Sequence, residues 1–266
     1  MKNKTKVQCP AKINLDLKVF KKDETTGFHP IKSIMQAINL FDYITIEIEN
    51  SEKIEIFLDG NSEKIPYDEK NICFKAAKLF LEETNKKAKV NIYIEKNIPV
   101  CAGLAGGSTD ASGVLVGLNQ IYQNILSKEK LHILASKLGS DLNFCLEGGK
   151  KLCSSRGEKM EEMEFSDFDL CLVKPKNLAI SAKEAYEAFD SLKEEQKSNM
   201  KNDLEFALLK KNKYEELKYL SDLGLQMSGS GPTYFILHKT LHKKFDEENF
   251  EIFEGLSAIP YGVRVL

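Results

Sequence analysis

The chain has 266 residues, of which 42% are hydrophobic and 29% charged, and its formal net charge is -2. This balance is typical of a globular protein with one large domain or two of ordinary size. A near-neutral chain with dispersed lysines has no field to attract nucleic acid, and no segment approaches the roughly 18 apolar residues of a membrane span. We therefore expect neither a nucleic-acid partner nor a membrane partner.

The N-terminus and the cysteines indicate a reducing compartment. No apolar segment follows the basic residues 1–6, as it would in a signal peptide. The six cysteines form no C-x-x-C pair and have no histidine at metal-binding spacing. We expect buried thiols in a cytoplasmic protein, with the exception of Cys101, which lies in a glycine-rich loop and is either activated there or a small filler residue.

The first 95 residues predict strands and one helix. Residues 6–20 alternate between apolar and polar side chains, with an interruption at 9–11, and Lys12 and Asn14 lie on the polar face. After a loop containing Gly27 and His29, period-two patterns at 44–48 and 54–58 predict two further strands. Helical spacing predicts a helix from Asn71 to Thr84, and residues 90–94 alternate again.

The most informative segment joins this last strand to a helix that follows it. Its bare backbone offers free N–H groups beside the positive end of a helix dipole, which favours a phosphate site. Ser108, Thr109 and Asp110 are each candidates to cap the helix. Neither a Walker A motif nor a G-x-G-x-x-G motif is present, and a tight turn for close helix packing is the alternative. The loop consists of Pro99, Val100, Cys101, Ala102, Gly103, Leu104, Ala105, Gly106, Gly107, Ser108 and Thr109.

The rest of the chain mixes helices and strands without strict alternation, which predicts an α+β fold. A helix at 129–137 leads to Gly139-Ser140-Asp141, which we expect to precede an apolar strand. A polar, acidic segment at 158–167 predicts a boundary between domains at 1–162 and 163–266. In the second domain we expect strands at 170–173, 226–227, 233–237 and 263–266, and helices at 182–189 and across 203–220.

Three separated segments resemble the GHMP kinase superfamily: Pro10–Leu15, Gly103–Ala111 and Met227–Gly231. Within it, Gly27-Phe28-His29, Gly139-Ser140-Asp141 and the segments at 180–186 and 202–205 are similar to the branch that phosphorylates the 2-hydroxyl of cytidylated methylerythritol in isoprenoid biosynthesis. The resemblance implies an N-terminal α/β domain with the glycine-rich ATP loop and a C-terminal ferredoxin-like α+β domain. It implies ATP and Mg²⁺ as cofactors, with the Mg²⁺ ligands left open, and a monomer or homodimer.

The resemblance also implies two catalytic residues. Asp141 would take the proton of the acceptor hydroxyl, and Lys12 would keep that carboxylate ionised and offset charge on the moving phosphoryl group. The alternatives are a surface lysine and a turn or capping aspartate.

On the nucleotide side, the loop Pro99–Thr109 would hold the β- and γ-phosphates through backbone N–H groups. Ser108 or Thr109 would add a hydroxyl contact or a Mg²⁺ ligand, and Ser230 and Gly231 would complete the site. Asn71, Ile72 and Lys96 would form the adenine pocket, although Asn71 has helix capping as an alternative and residues 229–231 have a plain hairpin turn. The family loop has glycine where Cys101, Ala102 or Ala105 stand, a change that costs little only where the backbone does not need a positive φ.

On the acceptor side, the resemblance implies that His29 hydrogen-bonds the cytosine edge while Phe28 and Tyr186 stack on the base. Phe28 stands where tyrosine is expected, and Asn14, Asp141 and Ala182 complete the acceptor set. Two alternatives remain at this point: another GHMP kinase of the homoserine or mevalonate type, and a non-catalytic nucleotide-binding module. The base-stacking residues favour the cytidylated acceptor, and the presence of both Lys12 and Asp141 favours an enzyme.

Overall fold

The structure is a computed structural model, and it describes residues 3–192, 198–237 and 245–266. Both secondary-structure types occur throughout these ranges, which confirms the α+β class. The elements in chain order are β1 (Lys4–Val19), β2 (Ile31–Asn50), β3 (Glu55–Gly60), α1 (Ile72–Glu83), β4 (Ala88–Glu95), α2 (Gly106–Ile121), α3 (Lys128–Leu138), α4 (Leu142–Glu147), β5 (Lys150–Ser155), β6 (Lys159–Glu162), β7 (Asp169–Pro175), α5 (Ala182–Asp190), α6 (Asp203–Lys210), α7 (Glu215–Asp222), β8 (Gln226–Met227), β9 (Tyr234–Leu237), β10 (Phe250–Ser257) and β11 (Arg264–Val265).

A seven-stranded sheet forms the first layer, in the order β11-β1-β2-β4-β3, with β5 paired to β2 and β6 to β5. The long antiparallel pair β1 and β2 is its centre, and Lys12 lies opposite Ala37. The interruption predicted at 9–11 is a register shift between Pro10 and Ala11 within one continuous strand. Among the strand pairs of the described residues, β3 and β4 are the parallel one, because α1 connects them as a crossover.

Helix α2 packs closely on the first sheet and brings the glycine-rich loop beside Lys12, in the middle of β1. A β-carbon on Gly113 would lie 2.4 Å from the Cys9 sulfur, so only glycine permits this approach. The core between the helices and the sheet includes fully buried Ile44, Val90 and Leu115. The close contact fixes the start of α2 relative to the strand that carries Lys12.

A four-stranded antiparallel sheet in the order β10-β7-β9-β8 forms the second half, with α5, α6 and α7 packed beside it. The chain then returns to the first sheet, where β11 pairs with β1 and Val265 lies opposite Val7. Strand β6 of the first sheet ends at Glu162 and β7 of the second begins at Asp169, while the last strand belongs to the first sheet. The domain bounds 1–162 and 163–266 stay a prediction. None of the described helices combines the length and apolar character that a bilayer crossing needs.

Most predicted elements are confirmed, and two expectations are wrong. The segment after Asp141 is helix α4 rather than a strand, because a short apolar run buried on all sides carries no period that separates the two. Helix α2 begins at Gly106, ahead of the three residues expected to cap it. Its N-cap is Ala105, with φ 59° and no side-chain capping hydrogen bond.

Candidate active site

A cavity of about 700 Å³ lies between the two halves of the molecule. The glycine-rich loop, the polar face of β1, the turn before α4 and the turn after β8 all reach it. Five predicted site residues are not part of its lining: Leu104, Thr109, Gly231, Phe28 and His29. The predicted site residues that do line it are Lys12, Asn14, Asn71, Ile72, Lys96, Pro99, Val100, Cys101, Ala102, Gly103, Ala105, Gly106, Gly107, Ser108, Asp141, Ala182, Tyr186 and Ser230.

Lys12 is a buried lysine at the centre of this cavity wall. Its side chain is only 5% exposed, and its ammonium donates to Asn14 Oδ1 at 2.6 Å and to the Gly103 carbonyl at 2.9 Å. The same nitrogen lies 3.7 Å from Asp141 Oδ2. The contacts hold the charge at one point of the cavity, which excludes a solvated surface lysine.

Asp141 presents a free carboxylate to Lys12. It occupies the residue before α4 with φ -84° and ψ -11°, and its side chain makes no capping hydrogen bond to that helix. The side chain is 30% exposed. Because the carboxylate is not used by the helix, it remains available to a group in the cavity.

The turn after β8, in the second half of the molecule, contacts the glycine-rich loop at Gly103. The Gly103 carbonyl accepts from both Lys12 and the Ser228 hydroxyl, the latter at 3.0 Å. A β-carbon on Gly103, where φ is 73°, would lie 2.1 Å from the Ser228 carbonyl oxygen. Asn202 holds this turn from behind by donating to the Met227 and Gly229 carbonyls, each at 2.9 Å. The turn is therefore part of the site wall, more than a hairpin connection.

The start of α2 faces the cavity with unused backbone donors. The first intrahelical bond runs from the Thr109 N–H to the Ala105 carbonyl at 2.9 Å, so the preceding amides at Gly106, Gly107 and Ser108 have no such partner. Thr109 offers the cavity neither its N–H, which bonds to Ala105, nor its hydroxyl, which is fully buried. Ser108 is the hydroxyl of this turn that lines the cavity.

Lys96 lines the cavity, but its charge is used inside the protein. The ammonium lies 2.5 Å from Asp42 Oδ2 and 2.8 Å from Asp110 Oδ2, and all three side chains are less than 5% exposed. Burial opposes the charge on Lys96, yet the two carboxylates outweigh it and raise its pKa. Burial raises the pKa of Asp110 to about 8, with the Asp42 charge adding and Lys96 opposing. The ammonium therefore supports the loop from below and is not free for an adenine ring.

Asn71 is the N-cap of α1, as the alternative interpretation had it. Its Oδ1 accepts from the Cys73 N–H at 2.9 Å and its Nδ2 donates to the Pro66 carbonyl at 2.7 Å. Both polar ends are thus engaged, although the residue borders the cavity beside Ile72.

His29 and Tyr186 form an aromatic pair at the end of the cavity where the acceptor is expected. The His29 ring stacks on Tyr186 with centroids 5.2 Å apart and an angle of 22° between planes. His29 Nδ1 lies 2.9 Å from the Phe20 carbonyl oxygen, and Nε2 lies 3.2 Å from Asp190 Oδ1. Burial, reinforced by the charge on Asp141, raises the pKa of Tyr186 to about 12. Both histidine nitrogens therefore have partners, and Tyr186 is the ring of this pair that lines the cavity.

Comparisons with known proteins agree with this geometry. Residues 71–149 match the family model described as the GHMP kinases N terminal domain. A protein of Clostridium beijerinckii named 4-diphosphocytidyl-2-C-methyl-D-erythritol kinase is 41% identical, over 90% of this chain and 92% of its own length. A protein of the same name from Prochlorococcus marinus is 37% identical, over 94% of this chain and 91% of its own.

The chain belongs to this kinase family. A crystal structure of 4-(cytidine 5'-diphospho)-2C-methyl-D-erythritol kinase is similar with a TM-score of 0.67 and 28% identity, covering 86% of this chain and 88% of that one. A homoserine kinase from Cytophaga hutchinsonii superposes with a TM-score of 0.75 at 18% identity, which shows the shared fold alone. As a GHMP kinase, the protein uses ATP as its phosphate donor.

In this kinase, two of the three loop positions at which the family has glycine have a strained backbone. Cys101 has φ 53° and Ala105 has φ 59°, both in the left-handed region that favours glycine. Ala102 is not in that region and is buried. Cys101 is the exposed cysteine, while the other five are buried, as the sequence predicted.

Sequence reasoning missed two basic residues of the cavity, Lys70 and Arg156, and Arg156 is the one near the acceptor end. It lies on the turn between β5 and β6 and lines the same cavity as Asp141 and Tyr186. A signal was present in the composition, because only two of the 38 basic residues are arginines.

Proposed function

We propose that this kinase transfers the γ-phosphoryl group of ATP to the 2-hydroxyl of 4-diphosphocytidyl-2-C-methyl-D-erythritol, giving the 2-phosphate and ADP, in the methylerythritol phosphate route to isoprenoids. The observation that carries the proposal is the placement of Lys12 Nζ 3.7 Å from a free Asp141 carboxylate, beside the open start of α2. The names of the relatives, at about 40% identity over most of the chain, support this acceptor.

Asp141 is the proposed general base. An alcohol is a poor nucleophile, and a carboxylate within hydrogen-bond reach orients it and accepts its proton as the new bond to phosphorus forms. The bond between the γ-phosphorus and the bridging oxygen breaks, and ADP carries away that electron pair. The lack of a capping bond on Asp141 leaves its oxygens available for this step.

Lys12 is the proposed electrostatic partner of both groups. Its fixed ammonium lies beside the Asp141 carboxylate and would offset the charge of the transferring phosphoryl group. Asn14 and Gly103 position the ammonium, so little reorganisation is needed at the moment of transfer.

The loop Pro99–Ser108 is the proposed phosphate cradle. The unpartnered amides at the start of α2 and the helix dipole both favour an anion there. Ser230 would close the cradle from the opposite half, and Asn71 and Ile72 would border the adenine. Lys96 would act on the loop through Asp110 rather than on the base.

The side chains at the cradle fit Mg²⁺ held mainly by nucleotide phosphates. In the described ranges there is no cluster of three histidine, cysteine or acidic side chains able to hold a metal. Mg²⁺ commonly uses one or two protein oxygens together with substrate phosphates, and Ser108 and Asp141 are such oxygens on this cavity. The ion would neutralise charge on the β- and γ-phosphates, with Ser108 as its proposed protein ligand.

Phe28, His29 and Tyr186 form the proposed cytosine site. Tyr186 offers a ring at the cavity wall, and Phe28, 51% exposed, offers a second ring nearby. Base stacking on such rings is worth about 1–3 kcal/mol per base. His29 Nε2, whose partner Asp190 is half exposed, is the nitrogen that a cytosine edge would take over.

An ATP-consumption assay with three acceptors tests the proposal. We expect turnover with 4-diphosphocytidyl-2-C-methyl-D-erythritol and none with homoserine or mevalonate. Turnover confined to homoserine or mevalonate would contradict the acceptor assignment while leaving a kinase. An absence of turnover on all three, with ATP still bound, would favour a nucleotide-binding module.

A further inference from the structure

Arg156 is a charged residue of the cavity to which the reaction described above gives no role. Its backbone belongs to the turn between β5 and β6, and its side chain lines the cavity. The chain uses lysine for nearly all of its basic positions, with Arg156 and Arg264 as the two exceptions. A planar guanidinium differs from an ammonium in presenting a rigid fork of donors that suits phosphate oxygens.

The nearby carboxylate does not neutralise Arg156. Glu158 accepts from the Ser155 hydroxyl at 2.9 Å and from the Arg156 backbone N–H at 2.8 Å, so the turn itself uses both of its oxygens. Across the described part of the chain, no carboxylate oxygen lies within 4 Å of the guanidinium nitrogens. Within the described residues, the guanidinium makes one hydrogen bond, a long one of 3.4 Å from Nη2 to the Ser136 carbonyl. The guanidinium therefore keeps most of its donors and its positive charge for a ligand.

The position of Arg156 matches the middle of the proposed acceptor. On one side, the turn lies against the residue before Asp141, since a β-carbon on Gly157 would be 3.4 Å from the Ser140 carbonyl oxygen. On the other side, the guanidinium lies over the Phe28 ring, 4.6 Å from its centroid. The acceptor carries its hydroxyl, its diphosphate and its base in that order, and the protein presents Asp141, Arg156 and Phe28 in the same order.

We propose that Arg156 binds the diphosphate of the acceptor and so selects acceptors that carry one. This inference rests on the proposed function, because it assumes that the cytidine diphosphate group enters this end of the cavity. The guanidinium lies over the Phe28 ring, and its unused N–H donors remain available to the two anionic phosphates. Acceptors without a diphosphate would leave this charge without a partner, which disfavours them.

Arg156→Ala tests the proposal against the matched control Arg264→Ala. Like Arg156, Arg264 lies over an aromatic ring, 3.9 Å from the Tyr261 centroid, but it is outside the cavity. For Arg156→Ala we expect the acceptor KM to rise about 10- to 100-fold, the range for a lost charge-assisted contact, with kcat and the KM for ATP within about twofold. Arg264→Ala should match the wild type in all three.

A binding measurement separates this proposal from the proposed function. With the donor site filled by a non-hydrolysable ATP analogue, CDP should bind the wild type about tenfold or more tightly than cytidine. In Arg156→Ala the two affinities should agree within about twofold, while Arg264→Ala keeps the difference. If the wild type lacks turnover on the acceptor, the proposed function fails, and this ratio still tests Arg156.

Two results would overturn the role of Arg156. One is an acceptor KM in Arg156→Ala equal to that of Arg264→Ala, with the preference for CDP unchanged. The other is a fall in kcat with no change in the acceptor KM, which would place the residue in the chemical step.

Discussion

Two sets of lysine and aspartate lie at the same cavity, and they differ in how deeply their carboxylates are buried. Lys96 lies between Asp42 and Asp110, all less than 5% exposed, and both carboxylates are bound to it. Lys12 faces Asp141 at 3.7 Å, and that carboxylate is 30% exposed with no capping bond. The residue types are alike, so the exposure of the carboxylate distinguishes a group that can react from one that supports the loop.

The largest expected effect on catalysis is at Lys12. Lys12→Met should lower kcat by about 10²- to 10³-fold, because it removes a preorganised charge from the transferring phosphoryl group. Steady-state kinetics with saturating ATP and acceptor measure this. A kcat within a few-fold of the wild type would remove Lys12 from the chemical step.

The largest expected effect on stability is at Lys96. Lys96→Met leaves the buried carboxyl groups of Asp42 and Asp110 without their cationic partner, so the free energy of unfolding should fall by about 3–5 kcal/mol. Urea denaturation followed by circular dichroism gives the value. Lys12→Met is the matched control and should lose less, because the aspartate that it leaves unpaired is partly exposed. Equal losses in the two variants would contradict the distinction between the sets.

The buried set also predicts a dependence of stability on pH. The pKa of Asp110 is about 8 in the folded protein against an ordinary 3.8, so between these values the folded state binds more protons than the unfolded one. The free energy of unfolding should therefore fall as pH rises through that window. Asp110→Asn should reduce the slope, while the exposed control Asp222→Asn should keep it. An unchanged slope in Asp110→Asn would show that Asp110 does not hold this proton.

The smallest expected effect concerns the backbone of the loop above the buried set. Ala105→Gly should stabilise the protein by about 1 kcal/mol, because Ala105 is an N-cap held at a positive φ that costs alanine more than glycine. Ala102→Gly is the control, since φ is not positive there and a buried methyl is lost. Thermal unfolding compares the two, and a lower melting temperature for Ala105→Gly would contradict this interpretation of the loop.

The sequence predicted the elements whose signal is local. The strand, glycine-rich loop and helix around residues 90–121 follow from periodicity and from the lack of side-chain bulk. The start of α2 did not follow, because Ala105 caps the helix through a left-handed backbone conformation that alanine does not signal. Helix α4 was missed because its apolar residues are buried all around.

Partners distant in sequence account for the remaining differences in the site. The resemblance implied that Lys96 contacts the nucleotide, but in the fold its ammonium is bound by Asp42, which is 54 residues away in sequence. Arg156 belongs to no motif, and beyond the scarcity of arginine it is identified by its cavity position and by the lack of a carboxylate partner among the described residues. The resemblance named Lys12 and Asp141, and the fold supplied the contacts that explain why those two face each other.

The turnover of Asp141→Asn tests the central claim most directly. Asparagine keeps the shape of the side chain but cannot accept the acceptor proton, so kcat should fall by at least about 10²-fold. Affinity for ATP should stay within a few-fold, because the phosphate cradle is built from other residues. A kcat close to that of the wild type, with ATP binding intact, would contradict the assignment of the reacting group to the Lys12–Asp141 set.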